Sequence, residues 1–185
     1  METTLPTKNA NYITVTQVLS RYADFSRIPE DVLNFASERG TFIHGACCAM
    51  AKGVPWMKPI PEDFQGYIDS FKRWKDLHVV KVILAEGRLY DHTYKYSGQL
   101  DLIVQMKTEG LVLVDLKTPV AFKKIWLWQI AAYENLARLT FPVRKGGTLQ
   151  LSPDGAPAKM VWRGESPRDF SFFISALQIK RELEV

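Results

Sequence analysis

Asp101, Asp115, Lys117, Gln129 and Tyr133 follow one another in the order used to handle a phosphate group. They occur in the runs Gly98-Gln-Leu-Asp101, Val114-Asp115-Leu116-Lys117-Thr118 and Gln129-Ile-Ala-Ala-Tyr133. Asp115 and Lys117 are two apart in an extended apolar run, so they share one face of a strand while Val112, Val114 and Leu116 take the other. Asp101 lies on the preceding strand, and pairing across the turn at 107–110 would bring the two carboxylates together near one sheet edge. Two carboxylates at one point repel, and a single lysine relieves only part of that. A hard divalent cation with oxygen ligands relieves the rest. Such a site suits phosphodiester hydrolysis, because the cation lowers the pKa of water and offsets charge on the phosphoryl oxygens. Lys117 can orient or deprotonate the attacking water. An isolated Asp-x-Lys reads as a surface salt bridge, and only its combination with the other groups favours a site.

Gln129 and Tyr133 are four apart and share a helix face. Gln129 could bond a phosphate or a cation-bound water, and Tyr133 could touch phosphate or stack on a base; alone, the pair reads as helix packing. His44, on an earlier helix, is either structural or a further ligand through its imidazole. Glu38 is a weaker candidate on nearly the same face. Glu86, placed at a strand end before Gly87, is either an exposed terminus or a holder of a second metal or a water. Thr118 could donate to phosphate. Arg73, Arg88, Lys95, Lys123 and Lys124 add positive charge that a linear reading does not assign to one groove. Tyr94, Tyr96, Trp126 and Trp128 are candidates for gripping unstacked bases, but most of them read as core or core edge.

These residues need a scaffold. Residues 1–12 read as a loose tail, and Thr14 or Thr16 can cap a short helix. The run Pro29-Glu-Asp opens a helix over about 29–51, which Gly53 and Pro55 end. A second amphipathic helix opens at Pro61, with Phe64, Tyr67, Ile68, Phe71 and Trp74 at three- and four-residue steps. Strands are expected at 79–86, 88–95, 99–106 and 111–117, joined as an antiparallel meander. A helix over 122–140, short strands at 147–152 and 159–163, and a helix over 167–183 complete the chain. The order implies a mixed α/β (α+β) fold with a central sheet, and one domain over 13–185.

With 185 residues, 46% hydrophobic and 24% charged, the chain is long enough for a real core. No apolar run approaches the ~18 residues of a membrane span, and Met1–Asn11 lacks an apolar signal region. The expectation is a protein with no membrane partner that stays in the cytoplasm where it is made. Cys47 and Cys48, adjacent in an apolar stretch, read as buried thiols, and two cysteines cannot ligate an iron–sulfur cluster unaided. A net charge of +4 favours an anionic partner such as nucleic acid.

The array Gly40-Thr-Phe-Ile-His44, Glu86, Gly98-Gln-Leu-Asp101, Asp115-Leu-Lys117 and Gln129-Ile-Ala-Ala-Tyr133 resembles the PD-(D/E)XK nuclease superfamily. More narrowly it resembles the RecB-type branch with its stand-alone phage and mitochondrial genome-maintenance exonucleases. The resemblance covers about residues 14–140. It implies a restriction-endonuclease-like core, with an antiparallel meander in a central mixed sheet flanked by helices. It implies Mg²⁺ or Mn²⁺ on His44, Asp101, Asp115 and the Leu116 carbonyl, a catalytic role for Lys117, and substrate positioning by Gln129 and Tyr133. The four-cysteine cluster of some relatives is missing, so no iron–sulfur centre is expected. The implied setting is a bacterial or phage-infected cell, and the implied role is in DNA repair or recombination. A homo-oligomer, or a recombination or replication protein as partner, is compatible with it.

The expected activity is a metal-dependent DNA nuclease, acting as an exonuclease on single strands or duplex ends, since no base-reading module is visible. Two alternatives stay open: a catalytically silent nucleic-acid-binding subunit, and a structure-selective endonuclease.

Overall fold

The computed structural model describes residues 12–23, 26, 28–119 and 121–183. Most of the expected N-terminal tail lies outside these residues. Strand β1 (Ile13–Thr14) leads into helix α1 (Val15–Leu19). Thr14 caps α1: its side chain accepts from the Gln17 N–H, and the Gln17 side chain accepts from the Thr14 N–H. Helix α2 (Glu30–Lys52) starts after Pro29 with two acidic residues in its first turn and ends on Gly53, whose φ of +70° suits glycine. Helix α3 (Glu62–His78) runs directly into β2 (Val79–Asp91), followed by β3 (Tyr96–Met106), β4 (Gly110–Lys117) and α4 (Ile125–Arg138). Strands β5 (Lys145–Gln150) and β6 (Lys159–Trp162) and helix α5 (Pro167–Leu183) follow.

Two expectations change. The strands placed at 79–86 and 88–95 are one strand, and the hairpin turn falls at 92–95. There the Asp91 side chain accepts from the Thr93 and Tyr94 N–H groups, and Lys95 takes φ +53°. Gly87 pairs with Leu100 inside β2 rather than ending it. Helix α4 begins at Ile125 rather than 122.

Among the described residues one mixed sheet of six strands runs β1-β3-β4-β5-β6, with β2 also on β3. Strand β2 pairs antiparallel along the whole of β3, from Val79↔Met106 to Asp91↔Tyr96. One edge of β3 is therefore full, and β1 and β4 must share the other. Strand β1 takes the level of Tyr96 and Ser97, and β4 takes Leu102 to Met106. Between them the edge of β3 from Gly98 to Asp101 is open, and the sheet forks there. The short β1, not foreseen from sequence, makes one prong.

Helices α2 and α3 cover one face, where Ile43, Cys47, Phe71 and Trp74 pack with Leu102, Val104, Val112, Val114 and Leu116. Helices α1, α4 and α5 cover the other, with Tyr96, Leu100, Ile103, Leu113, Ile130, Leu136 and Phe173. Val112, Val114 and Leu116 all face α2–α3, so Asp115 and Lys117 turn toward α4, as expected from alternation. Among the described residues no helix is long and apolar enough to cross a membrane.

Candidate active site

The fork creates the site. Pairing of β3 with β4 stops at Leu102↔Val114, one step before Asp101 would face Asp115. The two strands splay, and the Asp101 side chain replaces the lost backbone partner: its Oδ2 accepts from the Leu116 N–H at 2.7 Å. On the far side of β4 the Lys117 carbonyl accepts from the Leu151 N–H, so odd-numbered β4 residues bond to β5 and even-numbered ones face β3. Leu116 is even-numbered, and its carbonyl therefore lies on the fork side with its N–H. The two carboxylates meet inside the sheet at this fork, not at a sheet edge as expected from the hairpin alone.

The side-chain alternation of β3 slips at the same level. Leu100 packs in the α4 layer and Leu102 in the α2–α3 layer, although two-apart residues of a regular strand share a face. Opposite Asp101, between the pairs Ala85↔Leu102 and Gly87↔Leu100, Glu86 takes φ +52°. A non-glycine residue in this region costs about 1–3 kcal/mol.

A cavity of about 440 Å³ opens at the fork and is lined by His44, Glu86, Asp101, Asp115, Lys117, Gln129 and Tyr133. Seven of the sequence candidates thus converge. His44 Nδ1 on α2 lies 3.3 Å from Asp101 Oδ1. Lys117 Nζ lies 2.7 Å from Asp115 Oδ2 and donates to Gln129 Oε1 at 3.1 Å, and Gln129 Nε2 donates to the Tyr133 hydroxyl at 3.2 Å. Gly98 makes the last contact: a Cβ there would sit 2.6 Å from Tyr133 Cε1. Gln129 and Tyr133 act as a brace behind Lys117. Tyr133 is too buried to stack on a base with its ring face.

The electrostatics are unbalanced. Burial pushes Asp101 up, but the His44 charge and hydrogen bond, Lys117 and the Leu116 N–H together hold it below the usual carboxylate range. Burial pulls His44 down, and Asp101 more than reverses that. Asp115 goes the other way: burial and the Asp101 charge raise it, and Lys117 does not compensate. Although Lys117 is close, Asp115 Oδ2 is buried without a well-directed hydrogen bond.

Several expectations do not hold. Thr118 is buried and outside the cavity lining, because it follows Lys117 and turns away from it. Glu86 reaches the cavity from mid-strand, where it pairs with Lys52 at 2.9 Å. Glu38 lines a neighbouring groove instead. The proposed base-gripping aromatics are engaged elsewhere: Tyr96 donates to the Ala132 carbonyl, Trp128 stacks on Phe172, Tyr94 packs edge-on against Phe170, and Trp126 is buried beneath Lys117. Cys47 and Cys48 are buried free thiols, as expected, and burial pushes Cys48 up to about 12.

Sequence reading missed Thr14, Thr16, Thr41 and Gln99 in the lining and did not place Arg88 there. Thr41 had a signal, lying three residues before His44 on the same helix face. Arg88 had none, since only the register Arg88↔Gln99 carries it to the cavity. Its guanidinium donates to Gln99 Oε1 at 3.3 Å.

Among the described residues no three His, Cys, Asp or Glu side chains close into a ready-made metal cage. Two carboxylates and a carbonyl on the fork side suit a hard cation in kind, and the His44 imidazole is a softer donor beside them.

No family model and no curated protein sequence matches the chain. A crystal structure from Eubacterium rectale, named "Putative exonuclease", superposes with a TM-score of 0.57 at 8% identity, covering 99% of this chain and 85% of that one. The two share a fold. At this identity the likeness concerns architecture alone, and that architecture is the restriction-endonuclease-like one expected from the sequence: a central mixed sheet with an antiparallel meander between helical layers.

Proposed function

We propose that this protein is a metal-dependent nuclease of the RecB type that hydrolyses phosphodiester bonds in DNA, working as an exonuclease on single strands or duplex ends. The observation that carries the reading is the convergence of His44, Asp101, Asp115 and Lys117 on one forked cavity, with Asp115 Oδ2 lacking a directed partner. The fold shared with a protein named as an exonuclease supports it.

In this reading His44, Asp101, Asp115 and the Leu116 carbonyl hold Mg²⁺ or Mn²⁺. The bound cation supplies Lewis-acid stabilisation of the phosphoryl oxygens and a lowered pKa for water. Lys117 directs the attacking water and offsets charge on the phosphate. Gln129 fixes the Lys117 ammonium, and Tyr133 fixes Gln129. Arg88 gives the cavity a second cation, suited to an adjoining phosphate. Glu86, paired with Lys52, is a reserve carboxylate for a second metal or a water.

The test uses end-labelled single- and double-stranded DNA with Mg²⁺, Mn²⁺ or EDTA. Products that require metal and Lys117 are expected. Binding without cleavage under every condition would make the protein a silent nucleic-acid-binding subunit. A covalently closed single-stranded circle should survive, and its cleavage would make the enzyme an endonuclease.

A further inference from the structure

We infer that the groove beside the active-site cavity, between the second half of α2 and residues 54–58, is the track of an unpaired nucleic-acid strand. The inference deepens the nuclease reading and rests on it. The groove has a volume of about 790 Å³, and its lining includes Thr41 and Glu86, which also line the cavity. The two spaces therefore adjoin, with the Lys52–Glu86 pair at their boundary, and a strand lying over Asp101 and Asp115 has the groove as its neighbouring surface.

The wall of this groove suits bases rather than a paired backbone. Trp56 forms it, standing edge-on to Phe42 with ring centroids 5.2 Å apart. Its indole packs closely on α2 at Gly45, where a Cβ would lie 3.0 Å from Trp56 Cη2. Trp56 Nε1 has no hydrogen-bond partner. Met57, 86% exposed, and Val54 extend the apolar wall into solvent. Lys58 holds its ammonium 5.8 Å from the Trp56 ring centroid, and Lys52 stands at the junction with the cavity. An aromatic and thioether wall with lysines at its margins matches the alternation of base faces and phosphates in a single strand. In a duplex the base faces are already stacked on one another and cannot use such a wall.

The test measures binding of fluorescein-labelled dT12 and of a 12-base-pair duplex in Ca²⁺, alongside hydrolysis of the small diester thymidine 5′-(p-nitrophenyl phosphate) in Mn²⁺. The variants are Trp56→Ala, Trp56→Phe and Met57→Glu; the last places a charge on a solvent-exposed side chain and leaves the core intact. Trp56→Ala and Met57→Glu should weaken dT12 binding at least about ten-fold, as expected for loss of a stacking surface. Trp56→Phe should retain most of the affinity. Duplex binding and small-diester hydrolysis should stay within two-fold of wild type. Unchanged dT12 binding by Met57→Glu and Trp56→Ala would overturn the track and leave the nuclease reading standing. Equal loss for dT12 and duplex would also overturn it, in favour of a duplex-binding face. Trp56-dependent dT12 binding by a wild type that cleaves nothing would keep the track and remove the nuclease reading.

Discussion

Helix α4 carries two buried charged clusters, and they are built to opposite ends. At its first turns Gln129 meets Lys117, Asp115 and Asp101 around the fork. Toward its C-terminus, Glu134 accepts from the Gly146 N–H on β5 and from the Arg163 guanidinium, with Arg138 3.4 Å away. Arg163 also donates to the Ser166 carbonyl at 2.9 Å and reaches Asp169 at 3.4 Å. In this second cluster the acidic and basic groups are matched, and they tie α4, β5, the segment after β6 and α5 together. In the first, two carboxylates share one lysine and one imidazole, one buried oxygen lacks a directed bond, and Glu86 holds an unfavourable backbone angle alongside. Buried charge that is fully partnered serves the fold; buried charge left short of partners keeps the capacity to take a ligand.

The largest effect should come from breaking the satisfied cluster. Glu134→Ala leaves the buried Arg163 with only Asp169 and the Ser166 carbonyl and the Gly146 N–H without its acceptor, and should cost roughly 3–5 kcal/mol of stability, read by urea denaturation. A cost below about 1 kcal/mol would erase the contrast between the two regions. Next is the cavity lysine: Lys117→Ala should lower cleavage by at least about 10²-fold. Asp101→Asn should abolish activity together with its metal dependence.

A subtler effect separates the two carboxylates in the metal-free protein. Asp115 is raised from its ordinary value of 3.8, so its contribution to stability is complete below that pH and lost as pH climbs through the raised value. Asp115→Asn should therefore melt at or above wild type at pH 7, with the two curves converging in acid. Asp101 is depressed, so its contribution is present above its ordinary value and lost as pH falls through the depressed one. Asp101→Asn should accordingly melt below wild type at pH 7. Added Mn²⁺ should raise the melting temperature of wild type and not of Asp115→Asn. The smallest effect belongs to Arg88→Ala, which should weaken oligonucleotide binding at all sequences and lower the slope of log affinity against log salt by about one. An unchanged slope would remove Arg88 from the phosphate contacts.

Much of this site was legible in the chain because it rests on short-range rules. Two-residue spacing fixed a common face for Asp115 and Lys117, and four-residue spacing did the same for Gln129 and Tyr133. What escaped was set by pairing between distant segments. Arg88 reaches the cavity only through its register with Gln99, and Thr14 and Thr16 reach it only because β1 docks on β3. Glu86 looked like a strand end because glycine follows it, yet the ladder with β3 resumes at Gly87↔Leu100. The aromatics followed the core reading, since Trp126 and Trp128 lie against protein.

The long helices, the carboxylate–lysine strand and the helical brace behind it are written in the chain, since each follows from side-chain periodicity within one segment. Tertiary packing was needed to make β1 and β4 share an edge of β3 and leave a fork between them. It also brought Asp101 to the Leu116 N–H across that fork, and set a tryptophan-walled groove beside the cavity. Strand order and register come from packing whole layers against each other, and no local pattern encodes them.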